Sequence, residues 1–92
     1  MYLEIISPET TLFQGDITSI SLPGTSGSFQ ILENHAPIVA TLQEGLVTIK
    51  GQLDLTEEAQ QQFETVAKNE LVLKISSGTV EMKDNKIILL SD

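Results

Sequence analysis

The chain has 92 residues, 13 acids against 5 bases, a formal net charge of −8, and 40% apolar positions, which is enough for one domain with one core. It has no cysteine, so disulfides, thiolate nucleophiles and cysteine-built zinc sites are excluded. The negative charge is repelled by phosphate backbones and anionic lipid headgroups, so nucleic acid is not an expected partner.

No apolar run approaches the ~20 residues that span a bilayer, and Met1-Tyr2-Leu3-Glu4 has no basic region leading into an apolar stretch. A cytoplasmic chain without direct membrane insertion is expected. Tyr2–Ser7 reads as a strand stopped by Pro8. In Leu12–Leu22, Phe13, Gly15 and Ile17 keep one parity, and Ile20 and Leu22 keep the other. Strand side chains alternate between faces, so this phase change predicts a bulge or a passage from one sheet to another. Pro23-Gly24 is a turn signal.

Ser28–Leu32 is a short strand, and Glu33-Asn34-His35-Ala36-Pro37 is a loop. Asn34 is suited to a left-handed backbone, and Ala36, preceding proline, to an extended one. Ile38–Leu42 and Leu46–Lys50 are strands around Gln43-Glu44-Gly45. In Asp54–Asn69, Ala59, Phe63, Val66 and Ala67 recur at helical spacing. Asp54 or Thr56 can cap that segment, and Glu57 and Glu58 suit its dipole, so a helix is expected near 56–68.

Leu71–Ser76, Thr79–Lys83 and Lys86–Leu90 complete the strands, joined at Ser77-Gly78 and Asp84-Asn85. Short strands between turn residues indicate an all-β sandwich or barrel. Its expected core is Leu3, Ile5, Phe13, Ile17, Ile20, Phe29, Ile31, Leu42, Val47, Ile49, Leu73, Ile75, Val80, Ile87 and Leu89.

Matched catalytic groups are scarce. His35 is the only histidine. Ser7, Ser19 and Ser26 could in principle partner it, but no Gly-x-Ser-x-Gly elbow is present. A loop histidine that bonds locally or meets a partner is the simpler reading. A zinc site would need three carboxylates beside His35. Pro23-Gly24-Thr25-Ser26-Gly27 lacks Gly-Lys-Ser/Thr and leads into a strand, so it reads as a turn and not as a phosphate loop. The acids of 54–64 read as a solvated face, and Asp84-Asn85 lacks the spacing of a calcium loop. No catalytic residue, metal site or cofactor is assigned.

One long pattern is distinctive. It runs Leu12-Phe13-x-Gly15-x-Ile17-x-x-Ile20-x-Leu22-Pro23-Gly24-x-x-Gly27-x-Phe29-x-Ile31-Leu32-x-x-His35-Ala36-Pro37-Ile38. It continues in Leu42-x-x-Gly45-x-Val47-x-Ile49, Ser77-Gly78-x-Val80-Glu81-Met82 and Asn85-Lys86-x-x-x-Leu89. Together these stretches resemble the N-terminal domain of the epsilon subunit of F-type ATP synthase.

The resemblance implies a flattened sandwich of two roughly five-stranded antiparallel sheets, with the 56–68 helix as an insertion. It implies that 1–92 is this sandwich domain, without the C-terminal helical hairpin that many members carry. It also implies a non-catalytic rotor part of a proton-translocating ATP synthase, within a hetero-oligomer. Such a part lies peripherally at the cytoplasmic face of a bacterial plasma membrane.

The implied partners are the gamma subunit, through Ser7, His35, Ile38 and Ala40, and the polar loops of the c-ring, through Gly27, Ser28 and Glu33. An exposed apolar patch is expected near His35 and Ile38. Members commonly have an acid at the position of Ser28, glycine at Gln30 and Pro-Gly at Glu33-Asn34. Serine at 28 weakens an ion-pair contact with the ring. The rival readings are a free-standing β-sandwich adaptor for an unrelated protein partner, and a small hydrolase that uses His35 with a serine.

Overall fold

A computed structural model describes residues 1–51, 63–67 and 69–92. Among the described residues ten strands follow in chain order: β1 Tyr2–Ile6, β2 Thr11–Asp16, β3 Ser19–Gly24, β4 Gly27–Leu32, β5 Ile38–Leu42, β6 Gly45–Lys50, β7 Phe63–Ala67, β8 Glu70–Ile75, β9 Gly78–Lys83 and β10 Lys86–Ser91. They form one continuous ladder, β2-β1-β10-β9-β5-β3-β6-β8-β7, with β4 on the other side of β3. The ladder curls into a sandwich around a single core.

The core follows from alternation. One inward row crosses five strands through Ala40, Val80, Leu89, Ile5 and Phe13. A facing row runs through Ile31, Ile20, Ile49 and Leu71. Burying each such aliphatic side chain is worth about 1.5–3 kcal/mol. Every expected core residue is buried except Phe29, which packs partly exposed against the cluster. Met1, Leu12, Leu22, Leu71 and Met82 are also buried.

The structure corrects or sharpens three expectations. First, among the described residues the two five-stranded halves are not separate sheets but parts of one ladder. β3 joins the two halves, pairing with β6 through Ser19–Ser21 and with β5 through Gly24↔Leu42 alone. Proline explains the hand-over. The carbonyl of Pro23 accepts the N–H of Gln43 at 2.9 Å, so the donor that proline lacks would have faced the same side. The ladder to β6 therefore stops before residue 23. In addition, β1 and β10 run parallel, from Tyr2↔Lys86 to Ile6↔Leu90.

Second, the segment Leu12–Leu22, where a bulge or a passage between sheets is expected, divides into the two strands β2 and β3. It breaks at Ile17-Thr18, where the N–H of Ile17 donates to Met1 O and that of Thr18 to Lys50 O, both at 2.8 Å. The phase change in the sequence marks this break.

Third, the helix expected near 56–68 does not form at Phe63–Ala67. Those residues are strand β7, paired with β8 from Phe63↔Leu73 to Ala67↔Glu70 with a register shift after Thr65. The edge of β8 offers their backbone a partner that local periodicity does not reveal. The rest of the expected helix lies outside the described residues.

Left-handed residues close the turns. Asp84 and Asn85, at φ 53° and 61°, make the tight β9–β10 hairpin, and Asn69 (63°) and Asn34 (61°) serve the β7–β8 turn and the 33–37 loop. Asn34 thus has the backbone expected of a glycine substitute.

Candidate functional site

β5 and the β3–β4 hairpin enclose an open groove of about 420 Å³. Gly24, Gly27 and Phe29 line one side, and Ile38, Ala40 and Thr41 line the other. The close packing depends on Gly24. A Cβ there would lie 2.7 Å from the carbonyl oxygen of Gly27 and 2.8 Å from the Phe29 ring. Val39, at the groove's flank, is 79% exposed. Ile38 turns inward at the register of Met82 and is half-buried. The exposed apolar residues flanking the 33–37 loop are therefore Leu32 and Val39, and Ile38 belongs to the edge of the core.

The 33–37 loop leads from β4 into the Ile38 end of β5. His35 is exposed; its N–H donates to Leu32 O at 3.2 Å, and its Nδ1–H donates to Ala36 O at 2.7 Å. The N–H of Asn34 donates to Oδ1 of Asn85 at 2.9 Å. The loop is thereby fixed to the β9–β10 turn.

The residues proposed from the sequence do not gather into two sites. Gly27 sits with Ile38 and Ala40 in the groove, and Ser28 follows it, exposed, at the start of β4. Glu33 follows the opposite end of β4 and pairs with the Met1 ammonium group. It borders a second cavity, of about 620 Å³, beside Met1, Phe13, Asp16 and Ile17.

Ser7 follows β1 at the end opposite Tyr2. Its Oγ donates to Thr10 O at 3.0 Å, and its N–H donates to the same oxygen at 2.8 Å. The end of β1 at Tyr2 is the one tied to the Asn85 turn, through Tyr2 N–H to Asn85 O at 3.0 Å. His35 and Ser7 thus lie toward opposite ends of the sheet. Thr25, Phe29, Val39 and Thr41 border the groove without having been singled out. The Gly24-x-x-Gly27-x-Phe29 spacing carried that signal for Phe29.

Among the described residues, no cluster of three or more histidines or carboxylates could hold a metal ion, and no helix is long and apolar enough to cross a membrane. Lys86 Nζ lies 3.9 Å from Glu4 Oε1 and 5.6 Å from the centre of the Tyr2 ring. Tyr2 Oη donates to Glu4 at 3.3 Å. Desolvation, then the negative charge of Glu4, raises the phenol above its ordinary pKa.

Comparison with known proteins gives a consistent answer. The family described as ATP synthase, Delta/Epsilon chain, beta-sandwich domain matches residues 1–92. The ATP synthase epsilon chain of Leptospira interrogans serovar copenhageni is 39% identical over 90 residues, covering 98% of this chain and 59% of that protein. The ATP synthase epsilon chain of Chlorobium limicola is 34% identical over 90 residues, covering 98% of this chain and 86% of that one.

In fold, the chain is similar to one in the cryo-EM structure of the Tetrahymena thermophila mitochondrial ATP synthase central stalk and c-ring. The TM-score is 0.74 at 14% identity, over 99% of this chain and 62% of that one. Against the Leptospira relatives the chain spans 59% of their length. With its whole described sheet and all of its sequence inside one family pattern, the chain belongs to the ATP synthase delta/epsilon chain beta-sandwich domain family.

Proposed function

We infer that this chain is a rotor subunit of the central stalk of a proton-translocating F-type ATP synthase, coupling c-ring rotation through gamma to ATP synthesis. The family match over residues 1–92 carries the reading. Its task is mechanical: a stiff body joins two partners and itself performs no chemistry. A single ladder curled on one close-packed core suits this task, because packed interiors transmit strain with little deformation. The subunit lies peripherally at the cytoplasmic face of the bacterial plasma membrane, within the assembled enzyme.

His35, Ile38 and Ala40, along the loop and groove, are the proposed gamma contacts, with Val39 as the exposed apolar anchor beside them. Ser7 belongs to the same proposal but lies toward the other end of the sheet. Gly27 and Ser28, at the hairpin end, are the proposed c-ring contacts. Glu33 is proposed with them, although the length of β4 separates it from the hairpin. Two interfaces of about 800 Å² per partner would take a large share of the chain's 5596 Å² of surface.

The test is calorimetric titration of gamma with wild-type, His35→Ala and Val39→Asp chains, with circular dichroism to confirm folding. Both variants should fold normally and bind gamma about tenfold or more weakly. Unchanged affinity in both would overturn the assignment of this face.

A further inference from the structure

We propose that Asn85 is a positioning residue that holds the 33–37 loop in its docking shape without itself touching the partner. This rests on the gamma-binding reading of the loop and groove.

Asn85 is the second residue of the β9–β10 turn, 51 positions from Asn34 in sequence. It makes two long-range ties. Its backbone carbonyl accepts the N–H of Tyr2 at 3.0 Å, and its side-chain Oδ1 accepts the N–H of Asn34 at 2.9 Å. Only the amide oxygen can accept, so the side chain's orientation is fixed by the bond it makes. The first tie seats the turn against β1. The second fastens the loop to that seated turn.

The loop needs such a fastening. Residues 32–37 are all exposed, so little apolar burial orders them. Asn34 takes φ 61°, a conformation that a non-glycine residue adopts at a cost. Within the loop, His35 bonds locally, through its N–H to Leu32 O at 3.2 Å and its Nδ1–H to Ala36 O at 2.7 Å. The Asn34–Asn85 bond ties the loop to the β9–β10 turn, next to the pairing of Glu33 with the Met1 ammonium group. His35 is the next residue after Asn34, so the tie also sets where His35 is presented.

The two jobs of Asn85 can be separated. Asn85→Gly keeps the left-handed turn, since glycine accepts φ 61° readily and Asp-Gly is a favoured pair for this hairpin. It removes the side chain and with it the Oδ1 acceptor. Asn85→Asp retains an oxygen acceptor at the same reach.

The experiment uses the isotope-labelled full chain as wild type, Asn85→Gly and Asn85→Asp. Three quantities are read: the solvent-exchange rate of the Asn34 amide by NMR, the urea midpoint, and gamma affinity by calorimetry. In Asn85→Gly the Asn34 amide should exchange about three- to tenfold faster. Gamma affinity should fall about two- to fivefold, with the urea midpoint unchanged or raised. Asn85→Asp should restore exchange and affinity toward wild type.

An Asn34 amide that exchanges at the wild-type rate in Asn85→Gly overturns the proposed tie. Faster exchange with unchanged gamma affinity overturns the positioning role. A wild-type chain that does not bind gamma overturns the functional reading instead, and the exchange rates still decide the tie.

Discussion

Thr25 and Thr41 are joined twice. The N–H of Thr25 donates to the carbonyl of Thr41 at 3.1 Å, and their hydroxyls lie 2.9 Å apart. These bonds sit beside Gly24↔Leu42, the one register pair between β3 and β5. A hydroxyl bond on an exposed seam is worth about 0.5–1 kcal/mol. Thr25→Val, Thr41→Val and the double variant should therefore show a coupling of about that size in urea unfolding. Strictly additive single effects would mean that the hydroxyls do not act together.

Gly78 opens β9 where it passes the end of β10. A Cβ at this position would lie 2.5 Å from the carbonyl oxygen of Leu90, and that backbone cannot swing aside. Gly78→Ala should destabilise the fold by about 1–3 kcal/mol. At Gly15 the nearest atom to such a Cβ is the Phe13 ring at 3.5 Å, an ordinary contact. Gly15→Ala should be neutral or stabilising by up to about 1 kcal/mol, since it stiffens the unfolded chain. Equal unfolding midpoints for the two variants would contradict the steric account.

The same alternation that made this core readable also explains what was missed. Leu3 and Ile5, or Val47 and Ile49, are two apart and buried as strand parity requires. Ala59, Phe63, Val66 and Ala67 match a helical period, yet Phe63–Ala67 pair with β8. Spacing within a segment says which faces are apolar; the free edge of β8 supplied the partner. The site was legible in part for a similar reason. The family resemblance grouped Gly27, Ser28 and Glu33 together, but strand β4 places Glu33 at its far end from the other two. The groove unites residues from β3, β4 and β5, whose proximity depends on the seam at Gly24 and Leu42.

Ile20 tests the core directly. It lies between Ile31 and Ile49 in the inward row and has no exposed surface. Ile20→Ala should cost about 2–5 kcal/mol in unfolding free energy. Leu46 is 57% exposed on β6, and Leu46→Ala should shift stability by less than about 0.5 kcal/mol. A small effect at Ile20 would contradict the packing described.

Tyr2 is the sole tyrosine and there is no tryptophan, so absorbance reads its ionisation without interference. Desolvation and the adjacent Glu4 charge raise its pKa above 10.0. The folded chain therefore holds this proton at a pH where the unfolded chain has lost it. The resulting stabilisation is complete below the unfolded phenol's pKa and is lost as pH rises through the folded one. Glu4→Gln should bring the titration back toward the ordinary value. An unshifted titration in wild type would contradict the geometry around Tyr2.

Recovery of the assembled enzyme tests the rotor assignment most directly. An affinity tag on this chain, expressed in its own cell, should bring down gamma and the catalytic subunits of ATP synthase in fixed proportion from solubilised membranes. Mass spectrometry of the eluate gives the answer. An intact, active ATP synthase that leaves the tagged chain in the unbound fraction would contradict the account.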